Sequence, residues 1–404
     1  MDRSRLNLGA YYLRPYARTE KHIKDVKECG LDFIVSMSTD RLTLDLFYKH
    51  GIGAVVNDVF PGWWGGSGEN AGKMSTLNPV EKYHEAAKNF VDHPAIWGID
   101  IGDEPSALDF PHYREVVNAQ SHDFPKQFAY LNLYPNYASV AKNTSDETLN
   151  QLGTETYAEH IEEYCKNVPL DYICYDYYVY STRNVMGCYE NFRIVADAAR
   201  RYGRSLWFVP QVNSNREDEW ISENRLRFQA FSAMAFGVET IIWACYTAGW
   251  WTNQVVDEKG NKTEQYEKLK KINQELSTLG EHYMKYRCTA TQFVGFEANA
   301  TLKQTPVTAF SNGVFMGLQS DMAQKLVVGD LTERSDNSKK AVFLVAADDY
   351  LDENPTSSNV VFRCAEKAVI AYNGNGRIPV NYNAATGEYS IAIQSNEGIL
   401  IIAK

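Results

Sequence analysis

Short apolar runs alternate with amphipathic, charged segments along the first part of the chain. Eight of these runs have the length of strands and are rich in β-branched and aromatic residues. They are LGAYYL, LDFIVSM, GAVVNDVF, IWGIDIG, FAYLNLY, YICYDYYVY, LWFVPQV and ETIIWACYT. The segments between them, such as NPVEKYHEAAKNFVDH, repeat apolar residues at the three- and four-residue spacing of an amphipathic helix. Strands and helices therefore alternate, which indicates parallel strands joined by helical crossovers.

The number and length of these units predict the fold. Eight strand–helix units within about 250 residues are typical of a closed (β/α)8 TIM barrel. An open doubly wound sheet is the alternative, but the chain lacks the glycine-rich first turn that such sheets use for nucleotides. Toward the C-terminus the pattern changes to short β-type runs between turns, among them KLVVGDL, KAVFLVAA and GILIIA. We therefore predict an α/β protein with a barrel over residues 1–287 and a small all-β sandwich over 288–404.

The charge and composition argue against several classes of partner. A net charge of −11, without a long run of Lys or Arg, argues against nucleic acid. No stretch approaches the roughly 20 apolar residues of a membrane helix, and the opening MDRSRLNLGAYYLRPY lacks secretory-signal features. We therefore predict a cytoplasmic protein that does not enter membranes. Seven cysteines without a CxxC pair predict free buried thiols, and the aromatic loop GWWTN leaves a homo-oligomer open.

In a (β/α)8 barrel the catalytic groups stand at the C-terminal ends of the strands. The residues that end or follow the predicted strands are mostly carboxylates, amides and aromatics. They include Tyr12, Asn57, Asp58, Trp63, Trp64, Asp103, Glu104, Asn132, Tyr134, Asp176, Tyr178, Gln211, Asn213 and Trp243. Aromatic faces stack on sugar rings, while amides and carboxylates bind hydroxyl groups, so this set favours a carbohydrate ligand over a phosphate.

Each of these aromatic residues, taken singly, is more often part of a core than a ligand contact. Trp63 and Trp64 are the exception, because a Gly-flanked Trp pair in a long loop has no obvious core to fill. We expect this pair to stack on the adjoining sugar or aglycone. The expected walls of the subsite for the cleaved sugar are Asn132, Tyr134, Gln211 and Trp243.

The fourth predicted strand ends in two adjacent acids and a proline, Asp103-Glu104-Pro105. On an alternating strand Glu104 shares a face with Asp100 and points into the barrel mouth. A glycosidic oxygen leaves only when it is protonated, so an acid is needed that keeps its proton near neutral pH. Burial and a neighbouring charge, such as that of Asp103, raise a carboxyl pKa in this way. The alternative is a helix N-cap, which needs only one acid before the proline.

With these residues the chain resembles the clan of (β/α)8 glycoside hydrolases, and within it the family 42 β-galactosidases of bacteria. In that clan the fourth strand ends in Asn-Glu-Pro or a variant whose Glu is the general acid/base, and Asp103-Glu104-Pro105 matches it here. The segments RLRFQAFSAMAFGVETIIWACY and GNKTEQYEKLKKINQEL are similar to the clan's eighth-strand region. This chemistry needs no cofactor, and Asp58, Asp103 and Asp176 lack the spacing of a metal site.

The resemblance breaks at the seventh strand, where the clan carries its nucleophilic Glu and this chain has Gln211. Glutamine cannot form the covalent glycosyl ester of a retaining mechanism. Three explanations stay open: another acid replaces it, the protein binds sugar without cleaving it, or the seventh strand has a different register. Asp176, at the end of the sixth strand, is the preferred replacement, with Glu217 or Glu219 in reserve.

We therefore expect a hydrolase of small glycosides or oligosaccharides. Glu104 is the expected acid, Asp176 the base or nucleophile, and Asp103 the neighbour that tunes their pKa. A carbohydrate-binding protein without hydrolysis is the main alternative. A metal-dependent lyase or isomerase is another, but such sites use a Lys or His base that these strand ends lack. The sequence does not specify the sugar, the linkage or the stereochemical outcome.

Overall fold

The computed structural model describes residues 1–57, 70–88, 90–140, 150–303, 305–347, 350–351 and 353–404. Three residues predicted to contact the ligand, Asp58, Trp63 and Trp64, lie outside these ranges. Within the ranges, no helix is both long and apolar enough to cross a lipid bilayer. All seven cysteines are described, and each is a free thiol.

Eight parallel strands close into a barrel, as the sequence predicts. They are β1 Asn7–Tyr11, β2 Phe33–Met37, β3 Gly53–Val56, β4 Ile96–Asp103, β5 Phe128–Leu133, β6 Tyr172–Asp176, β7 Ser205–Val209 and β8 Val238–Trp243. Each strand pairs with the next along the chain, and β8 returns to β1 with Asn7 opposite Thr240. This order brings the C-terminal ends of all eight strands to one rim of the barrel, where this fold carries its catalytic groups.

Helices cover the outside of the barrel and follow the predicted amphipathic segments. Those that the structure describes are α1 Glu20–Glu28, α2 Arg41–His50, α3 Met74–Leu77, α4 Val80–Ala87, α5 Phe110–Asp123, α6 Tyr157–Asn167, α7 Val179–Thr182, α8 Val185–Tyr202, α9 Glu223–Ala235 and α10 Glu264–Tyr283. The side chains of Thr156 and Ser222 accept backbone N–H groups at the starts of α6 and α9. Gly51 and Gly203 end α2 and α8 in the left-handed conformation that favours glycine.

Aromatic side chains fill the interior of the barrel below the rim. Trp207 on β7 stacks on Tyr172 of β6 with ring centroids 4.0 Å apart, and Phe128 of β5 meets it edge-on at 5.7 Å. Glycine provides the room that such rings need, because a Cβ atom at Gly53 would lie 2.1 Å from the Trp97 ring. The interior is therefore a packed core, and a ligand has to bind at the rim.

Two antiparallel sheets follow the barrel, as predicted. Their strands are β9 Tyr286–Val294, β10 Phe315–Ser320, β11 Leu326–Glu333, β12 Lys340–Ala346, β13 Ser357–Cys364, β14 Val369–Asn373, β15 Gly376–Ile378, β16 Asn381–Asn383, β17 Glu388–Gln394 and β18 Gly398–Ala403. One sheet has the order β15-β14-β18-β12-β11-β9 and the other β10-β13-β17-β16. A separate apolar core joins the two sheets, with Val328 and Leu344 from the first and Phe362 and Ile391 from the second.

The six-stranded sheet is also buried by the helices of the barrel. Phe343 of β12 packs against Phe231 of α9 with ring centroids 6.3 Å apart, and both rings belong to the main core. A Cβ atom at Gly329 of β11 would lie 2.4 Å from the carbonyl oxygen of Ala235 in α9, so only glycine permits this approach. The sheet therefore packs on two apolar partners at once, the barrel and the four-stranded sheet.

We expect Gly329→Ala to destabilise the protein by about 2 kcal/mol or more, because the added methyl group meets a backbone oxygen that cannot rotate away. Denaturant unfolding followed by circular dichroism measures this change. Ala392→Ser, at an exposed position of β17, adds one atom without such a contact and serves as the control. An unchanged unfolding midpoint for Gly329→Ala would contradict close packing of the sheet on α9.

Candidate active site

An irregularity in β4 brings its acids to the rim. The register between β4 and β5 shifts between Asp100 and Gly102. Glu104 has the left-handed backbone conformation, with φ of 46°, while its N–H donates to Asn132 O at 2.9 Å. An ideal strand would place Asp100 and Asp103 on opposite faces, whereas the shifted register brings both to the same cluster. Left-handed backbone at a non-glycine residue is strained, and such strain concentrates at functional sites.

Asn132, at the end of β5, holds two carboxylates together. Its Nδ2 donates to Asp103 Oδ1 at 3.2 Å and to Asp176 Oδ1 at 2.9 Å. Two oxygens at these distances from one nitrogen lie at most about 6 Å apart, so the two carboxyl groups belong to one cluster. Asp176 is 1% exposed, whereas Asp103 and Glu104 keep part of their surface open. The described residues include no group of three His, Cys, Asp or Glu side chains placed to hold a metal ion.

Burial keeps protons on this cluster to a higher pH than usual. It raises the pKa of Asp176 to about 7. The charge of Asp103 adds to this rise, while hydrogen bonds with Asn132 and Glu104 oppose it. Burial also raises the pKa of Asp103 to about 6, against the hydrogen bond from Asn132, and it raises the pKa of Asp100. A carboxyl cluster that keeps a proton near neutral pH can act as a general acid.

Aromatic rings stand beside the carboxylates at the rim. Tyr178, after β6, contacts Trp251 edge-on at 4.4 Å. Trp250 contacts Tyr178 at 6.2 Å and Tyr12, after β1, at 5.7 Å. Burial and then the charge of Asp176 raise the pKa of Tyr178, which places this ring next to the acids. Trp250 is 44% exposed, so its ring is open to a ligand.

Three aromatic residues near the rim were not among the predicted site residues. Trp250 and Trp251 lie in the loop after β8, beyond the strand end that supplied the predicted Trp243. Tyr137, after β5, is 47% exposed and contacts Tyr177 edge-on at 5.2 Å. The sequence did carry a signal for the first two, because Gly-Trp-Trp is the same pattern that singled out Trp63 and Trp64.

Three predicted subsite residues hold the framework instead. Gln211 extends β7 through a parallel bridge to Ala244 and is fully buried, and its Oε1 accepts two backbone N–H groups of α7. Asn213 is buried as well and donates to a backbone carbonyl after β8 at 2.9 Å. Trp243 turns toward α10, where its Nε1 donates to Asn273 Oδ1 at 2.9 Å. The polar groups that were expected to bind sugar therefore form hydrogen bonds within the protein.

The two reserve acids after β7 do not join the cluster. Glu219 forms ion pairs with Arg183 at 2.6 Å and with Arg225 at 2.9 Å. Burial acts against its ionisation, but the hydrogen bond and charge of Arg183 outweigh this effect and lower its pKa. Glu217 is exposed. Of the three acids considered as replacements for a seventh-strand Glu, Asp176 is the one that contacts Glu104.

The remaining predicted residues stand at strand ends of the rim. Tyr134, after β5, is buried, and its pKa is raised by burial and then by the charges of Glu104 and Asp103. Asn57 follows β3, is half-buried, and its N–H donates to Met37 O at 3.1 Å. Tyr134 therefore lies against the acids, whereas Asn57 lies at the end of a neighbouring strand.

Comparison with known proteins gives only remote likenesses. No protein-family model matches the chain, and no curated protein matches it. Similar solved structures include a glucosidase from Croceicoccus marinus, with 9% identity over 99% of this chain and 96% of that one and a TM-score of 0.48. A GH2 β-galacturonidase from Eisenbergiella tayi has 13% identity over 67% and 50%, with a TM-score of 0.46. An intracellular xylanase from Thermoanaerobacterium saccharolyticum has 11% identity over 66% and 95%, with a TM-score of 0.43. At such distances the function has to be argued from the site itself.

We expect Asp176→Asn to gain stability relative to the wild type as the pH rises. The pKa of Asp176 is about 7 in the folded protein and 3.8 for an ordinary Asp, so the native state keeps a proton that the unfolded chain releases. The wild type therefore loses stability from about pH 4 to about pH 7, and Asn, which does not ionise, removes this loss. The difference should reach about 4 kcal/mol, because each pKa unit between the folded and unfolded states corresponds to about 1.4 kcal/mol.

Urea unfolding of both proteins at about pH 4 and about pH 8 measures this effect. Asp218→Asn removes an exposed carboxylate and is the control. If Asp176→Asn changed stability equally at both pH values, the raised pKa of Asp176 would be contradicted.

Proposed function

We propose that the protein is a glycoside hydrolase that acts on small glycosides or oligosaccharides. The observation that carries this proposal is the buried Asp176 carboxyl group, which contacts both Asn132 and Glu104 next to Asp103. Protonated and ionised carboxyl groups in one cluster supply the acid and the base that cleavage of a glycosidic bond requires. The aromatic rings beside them supply faces on which a sugar can stack.

In this proposal Glu104 is the general acid and Asp176 the nucleophile. The Asp176 carboxylate attacks the anomeric carbon, the bond to the glycosidic oxygen breaks, and Glu104 gives its proton to that oxygen. Glu104 then takes a proton from water, whose oxygen displaces Asp176 from the anomeric carbon. The hydrogen-bonding contact between the two acids supports this order, because it is closer than the roughly 6.5 to 9.5 Å of inverting pairs and nearer to the roughly 5 Å of retaining pairs. Retention of the anomeric configuration is therefore expected.

The finer proposal is kinship with the family 42 β-galactosidases. It is supported by the motif Asp103-Glu104-Pro105 and by the order of barrel and sandwich, with Gln211 at the position of the missing Glu. A neutral sugar is the expected substrate, because the carboxyl groups of the cluster would repel an anionic one. The predicted cytoplasmic location fits a small glycoside that enters the cell intact.

A carbohydrate-binding protein without hydrolysis is the second candidate. It is favoured by Gln211, which occupies the position of the clan's nucleophile and uses its side-chain amide to hold α7. In this case the carboxylates would bind sugar hydroxyl groups rather than break a bond. The wild type and acid variants would then bind the same sugar without turning it over.

Glu104→Gln is expected to lower kcat on oligosaccharides by about 10²- to 10⁴-fold, because the leaving oxygen loses its proton donor. The loss should be smaller for nitrophenyl glycosides, since nitrophenolate departs without a proton. Asp176→Asn should lose turnover of both substrate classes. Assays of a substrate panel, with NMR identification of the first-formed anomer, measure these effects.

Glu217→Gln is the matched control for these acid variants, because Glu217 is exposed and stands apart from the cluster. Its turnover should equal that of the wild type. Full activity of Glu104→Gln on oligosaccharides would contradict the proposed acid. Sugar binding without turnover in the wild type would support the second candidate.

Trp250→Ala is expected to raise KM about fivefold with a smaller change in kcat, because an open ring that stacks on sugar contributes about 1 kcal/mol to binding. Tyr382→Ala removes another exposed ring, from the sandwich, and is the control. Steady-state kinetics on the best substrate of the panel measure both variants. An unchanged KM for Trp250→Ala would exclude this ring from the binding site.

A further inference from the structure

A chain of buried hydrogen bonds runs below the carboxylates, and the mechanism above does not use it. Tyr11 Oη of β1 lies 2.7 Å from Tyr130 Oη of β5. Tyr130 Oη lies 3.5 Å from Cys174 Sγ of β6, and Cys174 Sγ lies 3.5 Å from Asn132 Oδ1. All four side chains are buried. The chain of bonds thus connects the core of the barrel to the amide that holds the two carboxylates.

The chemistry of these groups fixes the direction in which hydrogens are donated. Asn132 Nδ2 has two hydrogens, and the acceptors within reach are Asp103 and Asp176. The amide oxygen can only accept, so Cys174 has to donate its S–H to it. A thiol has a single hydrogen, so Tyr130 in turn donates its hydroxyl to Cys174 Sγ. Every hydrogen bond of the chain therefore points toward the carboxylates.

We propose that Cys174 is a positioning residue for Asp103 and Asp176, here called the acid pair. Its S–H group donates to Asn132 Oδ1 and keeps the amide nitrogen turned toward these two carboxyl groups. The kinetic consequence of this inference rests on the proposed function, whereas the positioning itself does not. Without the thiol the amide can rotate and bring its oxygen against the carboxylates. A buried carboxylate that loses its donor holds its proton more tightly, so the pair would titrate at a higher pH.

The properties of the thiol fit donation rather than reaction. Burial raises the pKa of Cys174, so the thiol keeps the proton that donation requires. Its side chain has no solvent exposure, and Cys174 precedes Asp176 by two residues on β6, farther from the rim. In register, Cys174 lies opposite Asn132, and Asn132 lies opposite Asp103, so three neighbouring strands present these groups side by side.

Other titratable groups act on the acid pair and stay in place when Cys174 is changed. They are Asp100 and Glu104 of the β4 end, Tyr11 and Tyr12 of the β1 end, Tyr113 of α5, Tyr134 and Tyr137 of the β5 region, Tyr157 of α6, Tyr175 of β6 and Tyr178 after β6. Since these groups are common to the wild type and the variants, a change in the titration of Asp103 and Asp176 reports a change in the orientation of the Asn132 amide.

Carboxyl ¹³C NMR of protein labelled at Asp tests this inference, because it follows Asp103 and Asp176 whether or not any glycoside is cleaved. Asp103→Asn and Asp176→Asn assign the two resonances. In Cys174→Ala we expect both to titrate on the order of one pH unit higher than in the wild type. Cys174→Ser keeps a donor and should restore the wild-type titration. The acid limb of the pH profile of kcat/KM should move in the same direction.

Three further variants separate positioning from packing. Cys188→Ala removes another buried thiol, from α8, and controls for the cavity. Cys174→Val fills the space without a donor, so it should raise the titration as Cys174→Ala does. It also provides the test if the alanine variant fails to fold. Asn132→Ala should raise the titration as well, and Cys174→Ala added to it should change nothing more, because the thiol acts through the amide.

An unchanged titration in both Cys174→Ala and Cys174→Val would overturn the proposal, and so would an equal shift in Cys188→Ala. Failure of Cys174→Ser to restore the titration would also overturn it. A shift of the titration in a protein that cleaves none of the glycosides would confirm the positioning role and contradict the proposed function alone.

Discussion

Two carboxylates from the strands on either side of β5 share a single amide group, and the chemistry of the rim depends on this sharing. A buried charge without a partner costs several kcal/mol, roughly the margin by which a domain is stable. Asp103 and Asp176 can stand side by side because Asn132 donates to each and because burial lets a proton stay on the cluster. The register shift in β4 and the left-handed backbone of Glu104 bring the acids within reach.

Much of this arrangement follows from short-range patterns in the sequence. The alternation of apolar runs and amphipathic segments predicts eight strands and their helices, and a closed barrel then assigns the residues that end the strands to one rim. Asp103, Glu104, Asn132 and Asp176 were found in this way and are together in the structure. Strand alternation did not predict the register shift, because the shift depends on how β4 pairs with β5.

The predicted site residues whose side chains make structural contacts show the limit of prediction from the sequence. Gln211 and Trp243 do stand at strand ends, but their partners are α7 and Asn273 of α10, which no spacing along the chain reveals. Trp250 lies in a loop, and loop geometry depends on contacts with other loops: Thr252 N donates to Ser214 O at 3.1 Å, which ties the loop after β8 to the loop after β7. Hydrogen bonds between residues far apart in the sequence, rather than local secondary-structure propensity, determine where these side chains and this loop lie.

The sandwich also supports the rim. Tyr350 donates its hydroxyl to Arg183 O at 3.0 Å, and its own carbonyl accepts the hydroxyl of Tyr180 at 3.1 Å. Both contacts are made to the segment after β6, which follows Tyr178 directly. The C-terminal part of the chain therefore fixes one side of the aromatic wall as well as adding to the core.

The packed interior of the barrel determines how molecules exchange at the rim. Trp207, Tyr172 and Phe128 pack together in the interior below the rim, so a molecule that enters from the rim is expected to depart by it. If the proposed hydrolysis takes place there, the part of a glycoside nearest the opening has to leave before water reaches the sugar held deeper inside. An alcohol or a second sugar that arrives in the vacated space ahead of water would accept the glycosyl group instead. The same architecture would then synthesise glycosides at high substrate concentration.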